Sequence, residues 1–555
     1  MHTRPWLPAL THYICFSRYG LNLYDAGTWE IALALSNEFE MQYVYERQVL
    51  DHASTGSDVA AGGLKDIRAD TKDFQYGPSK VLGNALPMVT LPANASNPND
   101  PGGAGANTKM NGAYFYRMIS DCYNCEDPLL GKYSYNFVYN KTADPTGSGP
   151  SWDTSGLIIW NDWKPITGEQ AWATMIGPLN FLHVLYNGSI PKFSSFAAAP
   201  PQVQLGISIL PAVSAMQSAP GSMYHCPKGT DMFPADNDEA ENVSNENNFS
   251  MYAGLRILEF ILAGAGAGAT DPVIAKAKTD VDKLIAGLEK WFETGLFSEP
   301  LATGNRVVYQ GGHVSFAGQY TPVGIQEYAG FAVDCQTWGL ATLVPYKGLK
   351  WVEGKLGAGG AAKLWTEVKT RAGHFVNGSI AGVGFTEVIE YNATTKKNVT
   401  AHEVWSAEWS FGAVTMLRTL AEAYTAAGQA SQATSLLADA GTIMKAVMTP
   451  TCMGGLNNNC TKEQGGAPYS TPQVPVAGNG GMLYANTRFF IPWGWYANPV
   501  SSLCSTSWSI MAQHSFNPFV LGGKNVAPKF DQNGYVPPRI KALGAGHVDY
   551  IRQVD

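Results

Sequence analysis

Glu246-Asn-Asn-Phe-Ser-Met-Tyr-Ala-Gly-Leu255 opens on a carboxylate and then runs through residues that are apolar or small on nearly every side. A helix without a polar face is buried, so this stretch belongs inside the molecule with its charge at one end. Four other stretches repeat the pattern: Asp25-Ala-Gly-Thr-Trp-Glu-Ile-Ala-Leu-Ala-Leu35, Glu169-Gln-Ala-Trp-Ala-Thr-Met-Ile176, Asp334-Cys-Gln-Thr-Trp-Gly-Leu-Ala341 and Glu408-Trp-Ser-Phe-Gly-Ala-Val414. Their starts lie 144, 77, 88 and 74 residues apart, and a sixth apolar segment, Ser502 to Gln513, begins 94 residues after Glu408. Each carboxylate is either a buried helix cap or one wall of a pocket where several helix ends meet.

Amphipathic segments alternate with these buried ones. Asp271 to Phe292 sets Val273, Ile274, Ala277, Val281, Leu284, Ile285 and Leu288 on one stripe and turns Lys276, Asp280, Lys283 and Lys290 away, the pattern of a surface helix. Ala361 to Val368 and Ala430 to Val447 hold the same place after the segments at Asp334 and Glu408. A repeat of this length is too long for a simple solenoid. It suits an all-α-dominated (α/α)6 toroid of six inner and six outer helices, with long loops and minor β elements. On this reading residues 1–24 are an N-terminal segment, 25–522 the toroid with a large insertion at about 52–160, and 523–555 a tail. Pro178 should kink the second inner helix.

Charged residues make up only 15% of the chain, against roughly 25% in an average soluble protein. The net charge of -8 and the absence of a basic patch argue against nucleic acid or an anionic membrane as partner. No apolar run reaches the roughly 18 residues that would span a bilayer. The expected ligand is neutral, and the expected state is a monomer. Nine Asn-x-Ser/Thr sequons, at Asn94, Asn140, Asn187, Asn242, Asn248, Asn377, Asn392, Asn398 and Asn459, favour a secreted glycoprotein, although Met1 to Gly20 lacks the pattern of a signal peptide. Cys122-x2-Cys125 and Cys452-x7-Cys460 are spaced to close small disulfide loops. No second closely spaced pair suggests zinc, so no metal and no cofactor is expected.

The helix openings, together with Arg488-Phe-Phe-Ile-Pro-Trp-Gly-Trp-Tyr-Ala-Asn498 before the last inner segment, resemble the (α/α)6-toroid carbohydrate-active enzymes. The resemblance covers roughly residues 25–522, is architectural and singles out no one family. It implies cleavage of glycosidic bonds, often with inversion and with a Glu or Asp acid. Fold analogy alone does not establish an activity.

Glycoside hydrolysis needs an acid to protonate the departing oxygen and a second carboxylate to activate water or attack the sugar. Glu246, set among amides and beside Phe249, is expected to be the acid, and Asp334 or Glu408 the base. Asp25 and Glu169 are expected to bind sugar hydroxyls. Trp172, Trp338, Trp405, Trp409, Trp493, Trp495 and Tyr496 offer flat faces suited to sugar rings, or fill the core. Arg488 would orient the rings or pair with a carboxylate.

The expected activity is hydrolysis of a neutral, glucan-like polysaccharide, endo-acting and inverting. A non-catalytic carbohydrate-binding or wall-associated protein is the alternative. A polysaccharide lyase using Tyr328 or His313 is a third reading, disfavoured by the scarcity of basic residues among the candidates. Gly-x-Ser-x-Gly, Walker and His-Glu-x-x-His motifs are absent from the sequence. The Gly-rich runs at Ala263–Ala269 and Gly357–Gly360 follow no convincing strand, which makes a dinucleotide site a weak reading.

Overall fold

The computed structural model describes residues 21–36, 88–93, 108–115, 118–119, 151–152, 158–159, 166–188, 190, 192–226, 241–264, 271–325, 330–357, 359–387, 390–392, 397–399, 401–457, 481–487, 489–491, 495–497 and 501–525. Over these the chain is mostly helical, with small antiparallel sheets. The helices are α1 (Leu23–Leu35), α2 (Thr167–Ala171), α3 (Gly177–Leu185), α4 (Pro201–Ser208), α5 (Leu210–Ala215), α6 (Asn245–Gly264), α7 (Pro272–Thr294), α8 (Val333–Lys347), α9 (Leu349–Leu356), α10 (Gly360–Ala372), α11 (Ala407–Ala426), α12 (Ala430–Met448) and α13 (Leu503–Gln513). Among these described residues no helix is long and apolar enough to cross a membrane.

The five carboxylate-led segments and the sixth apolar one are the buried helices α1, α2–α3, α6, α8, α11 and α13. In that order each packs on the next, and α13 packs back on α1. A helix with such neighbours on two sides and more helices behind it has no surface on which to expose a polar face, which explains the unbroken apolar pattern. Outside them, α7 lies on α6, α9 and α10 on α8, and α12 on α11. The outer helices expected after α1 and after α13 would lie outside the described residues.

In α7 the sequence dictates both ends and the buried face. The Asp271 carboxylate accepts from the backbone N–H of Val273 (2.9 Å) and Ile274 (3.0 Å), and Pro272 stands in the first turn. A proline there gives up only an N–H that the helix could not use. The predicted stripe from Ile274 to Leu288 is buried and extends to Trp291 and Phe292, while Val273 is exposed. The chain leaves the helix at Gly295.

The second buried segment is irregular where its proline was expected to kink it: a π-helical turn, Trp172–Ile176, joins α2 to α3 just ahead of Pro178, which falls in the first turn of α3. The wide turn brings α1 so close that a Cβ on Gly27 would lie 2.3 Å from the Trp172 carbonyl oxygen, and one on Gly177 would lie 2.6 Å from the Gly27 Cα. Only glycine fits on both sides of that crossing. Gly357 at φ 94° and Gly359 at φ 68° serve the helix ends between α9 and α10.

Among these buried helices, Tyr24, Trp172, Trp338, Trp508 and Phe519 form one aromatic cluster. Ring centroids are 5.2 Å apart for Tyr24–Trp172, 5.3 Å for Trp338–Trp508 and 5.6 Å for Trp172–Phe519. Phe519 belongs to a segment that closes the C-terminal ends of these helices. Asn180 donates to the Pro518 carbonyl and accepts from Gly522 N–H, both at 2.9 Å. Asn517 donates to Ala341, Tyr346 donates to Phe519, and Asn525 accepts from Thr419 and donates to Glu422. The chain therefore stays packed through Asn525, beyond the expected start of the tail at residue 523.

Asn248 is fully buried, with its amide on Met223 N–H and the Ser244 carbonyl, so this sequon cannot carry a glycan. Among the described cysteines, Cys226, Cys335 and Cys504 are free thiols. The proposed loops through Cys122, Cys125 and Cys460 lie outside the described residues.

Candidate functional site

The start of α6 shows how the site is framed. Three asparagines there hold three neighbouring segments. Asn245 donates to the Tyr309 carbonyl and accepts from the Trp291 indole; Asn247 accepts from Gly168 N–H at 3.0 Å; Asn248 accepts from Met223 N–H at 2.8 Å. Because a backbone N–H can only donate, Asn247 Oδ1 faces Gly168 and its amino group donates to His225 Nδ1 at 3.1 Å. His225 is thereby held with Nδ1 as acceptor. A Cβ on Gly168 would fall 2.1 Å from Asn247 Oδ1, so glycine is required for this join. Glu246, the carboxylate between Asn245 and Asn247, is half-buried.

Asp334 opens α8 next to it. Cys335 feels the negative charge of both Asp334 and Glu246, so both acids lie in its neighbourhood. Gln336, fully buried, accepts from Val308 N–H and donates to the Val308 and Ala332 carbonyls, anchoring this helix start. Asp334 is half-buried and accepts from the N–H of Cys335 at 2.6 Å. Burial pushes its carboxyl up to about 7, although hydrogen bonds at Cys335 pull the other way.

Glu408, in the first turn of α11, is 4% exposed. One oxygen accepts from the Tyr24 hydroxyl at 2.5 Å and the other from the Cys504 thiol at 3.4 Å. The Trp508 indole in turn donates to the Tyr24 oxygen at 2.6 Å. Burial pushes Glu408 up to about 8; the donors Tyr24 and Cys504 lower it, and the charges of Asp25 and Asp334 raise it further. Burial likewise drives Tyr24 and both thiols, Cys335 and Cys504, well above their ordinary values. The donors Tyr24 and Cys504 both belong to other helices, so the Glu408 carboxylate ties its helix to α1 and α13 and does not cap α11.

Glu246, Asp334, Glu408 and Asp25 are thus brought to one end of the central helices. Glu169 opens α2 at the same end and is buried. Carboxyls that titrate near neutrality beside other carboxylates can exchange protons at working pH, which a set of ordinary helix caps does not need.

The aromatic candidates divide. Trp172 is fully buried, with its indole on Ser250 at 3.1 Å, and Trp338 is 3% exposed within the central cluster. Trp405 stacks on His374 at 4.8 Å and Trp409 meets Phe385 edge-on at 4.8 Å, both buried. These four rings are occupied by protein and present no face to a sugar. Trp495 and Tyr496 lie on a strand, Trp495–Ala497, paired with Phe489–Ile491. Their side chains, and Arg488, Trp493 and Tyr328, lie outside the described residues. His313 is paired with Glu241 at 2.9 Å.

Sequence reasoning missed Tyr24, His225, Cys335, Cys504 and Trp508. The usable signal was position: Tyr24 precedes Asp25, and Ser502 and Cys504 open the one central helix without a carboxylate. Among the described residues no group of His, Cys, Asp and Glu has the arrangement of a metal site. No protein-family model, curated protein or solved structure matches the chain.

Proposed function

We propose that the chain is an (α/α)6-toroid glycoside hydrolase acting on a neutral, glucan-like polysaccharide. The closed succession of central helices with outer helices behind them supports the toroid. One observation carries the activity: acids from helices far apart in sequence meet at one end, and two of them, Asp334 and Glu408, keep protons toward neutral pH because they are buried.

Glu246 and Asp334 are the reacting pair in this reading. Both are half-buried, unlike Glu408, and the charges of both bear on Cys335. Asp334 takes the acid's part because it retains its proton to about pH 7, leaving Glu246 to act on water. This exchanges the roles expected from sequence, where Glu246 was the acid. Among the described residues no cation is seen to bear on Asp334 or Glu408, which favours an uncharged polymer over a uronate. Inversion and endo-action remain the proposal's finer points, read from the anomer and the chain lengths of the first products.

The test measures hydrolysis of a panel of neutral glucans and of aryl glycosides with good leaving groups. In Asp334→Asn, cleavage of the glucan should fall by roughly 10²–10⁴-fold while the aryl glycoside, whose leaving group needs no proton, is largely spared. Binding of glucans without any product, over prolonged incubation of the wild type, would favour the non-catalytic carbohydrate-binding reading instead.

A further inference from the structure

We propose that Tyr24 is a positioning residue that holds Glu408 turned into the helix assembly, where it does not touch substrate. This deepens the reading of the site given above and rests on it for the catalytic consequence only.

Three observations support it. First, both oxygens of Glu408 are taken by protein donors, Tyr24 at 2.5 Å and Cys504 at 3.4 Å, and the side chain is almost without exposure. A carboxylate so engaged and so little exposed is turned toward the neighbouring helices and away from any substrate. Second, the phenol is itself fixed from three sides: Trp508 donates to its oxygen at 2.6 Å, and its ring lies edge-on to Trp172 at 5.2 Å and against Trp338 at 5.9 Å. Its rotor is therefore spent on Trp508 and Glu408. Third, the titratable groups that bear on Glu408 are Tyr24 and Asp25 from α1, Asp334 from α8 and Cys504 from α13. The charge of Asp334 raises Glu408, so Glu408 is still neutral over the range near 7 in which Asp334 titrates, and it leaves Asp334 free to ionise.

Tyr24→Phe removes one hydroxyl and keeps the ring in its aromatic cluster. The full chain, labelled with ¹³C at glutamate side-chain carboxyls, is titrated by NMR. The wild type should show a glutamate midpoint near 8, absent in Glu408→Gln. In Tyr24→Phe that midpoint should rise by about one pH unit, because a donor to the charged form is lost. With a glucan that the wild type cleaves, Glu408→Gln should lose less activity than Asp334→Asn.

An unmoved glutamate midpoint in folded Tyr24→Phe would overturn the proposal, as would a loss in Glu408→Gln equal to that in Asp334→Asn. Should Tyr24→Phe not fold, Trp508→Phe serves: freeing the phenol oxygen from its indole donor should shift the same midpoint, and a fixed midpoint is again the contrary result. The titration needs no substrate, so failure to find any cleaved glucan would remove the hydrolase reading while leaving this test of Tyr24 in force.

Discussion

The two ends of the central helices are held by opposite chemistries. At the C-terminal end, neutral amides make the joins: Asn180, Asn517 and Asn525 bind the segment 516–525 across helices α3, α8 and α11. At the N-terminal end, acids are gathered, and two of them are driven by burial to titrate near 7 and 8. An amide network satisfies buried donors and acceptors at every pH, whereas clustered acids are an expense in stability that a fold does not need. The closed end is built to hold, and the acidic end is built to change protonation.

The contrast can be broken most sharply by chemistry. Asp334→Asn should abolish most glucan cleavage, with the 10²–10⁴-fold loss given above, while Asn517→Ala should leave the pH profile of cleavage in place. Equal effects of the two on that profile would erase the distinction between the ends.

Stability should answer in the reverse order. Asn517 is fully buried and bonded to Ala341, Thr419 and Phe519, and its truncation leaves polar groups without partners. Asn517→Ala should cost about 2–3 kcal/mol, read by denaturant unfolding.

The acidic end should also show itself in how stability depends on pH. Glu408 and Asp334 titrate higher in the folded chain than in the unfolded one. The stability they confer is complete below the ordinary carboxylate range, declines as pH rises, and is lost once pH passes about 8 for Glu408 and about 7 for Asp334. Glu408→Gln should therefore melt higher than the wild type at pH 8.5 and alike at pH 4. A difference that grows toward acid would mean that Glu408 is ionised in the fold at neutral pH.

The smallest effect belongs to neither end. Asp271→Ala, on the outer helix α7, removes a cap from the Val273 and Ile274 N–H groups and should lower the melting temperature slightly without altering cleavage.

Much of the helical framework was legible because buried and amphipathic helices differ in periodicity, as the segments at Glu246 and Asp271 do. The gathering of acids at helix starts was legible for the same reason, since each stood at the head of an apolar run. Tyr24 was not, because its bond to Glu408 joins residues 384 apart in the chain and a single aromatic before a helix carries no pattern. Trp172 and Trp338 were ambiguous on physical grounds: a ring suited to a sugar is equally suited to a core, and only packing decides. Packing beyond residue 522 was not legible because Asn525 is held by hydrogen bonds to Thr419 and Glu422, and these require no apolar periodicity.

The three asparagines heading α6 have one more consequence. Amide groups neither gain nor lose protons across the biological range, and here they tether the helix start to the segments at Gly168, Met223 and Tyr309. Glu246 is consequently mounted on a frame that acidity does not move. Whatever a shift in pH does at this end is done by changing who carries a proton, with the scaffold beneath staying where it was.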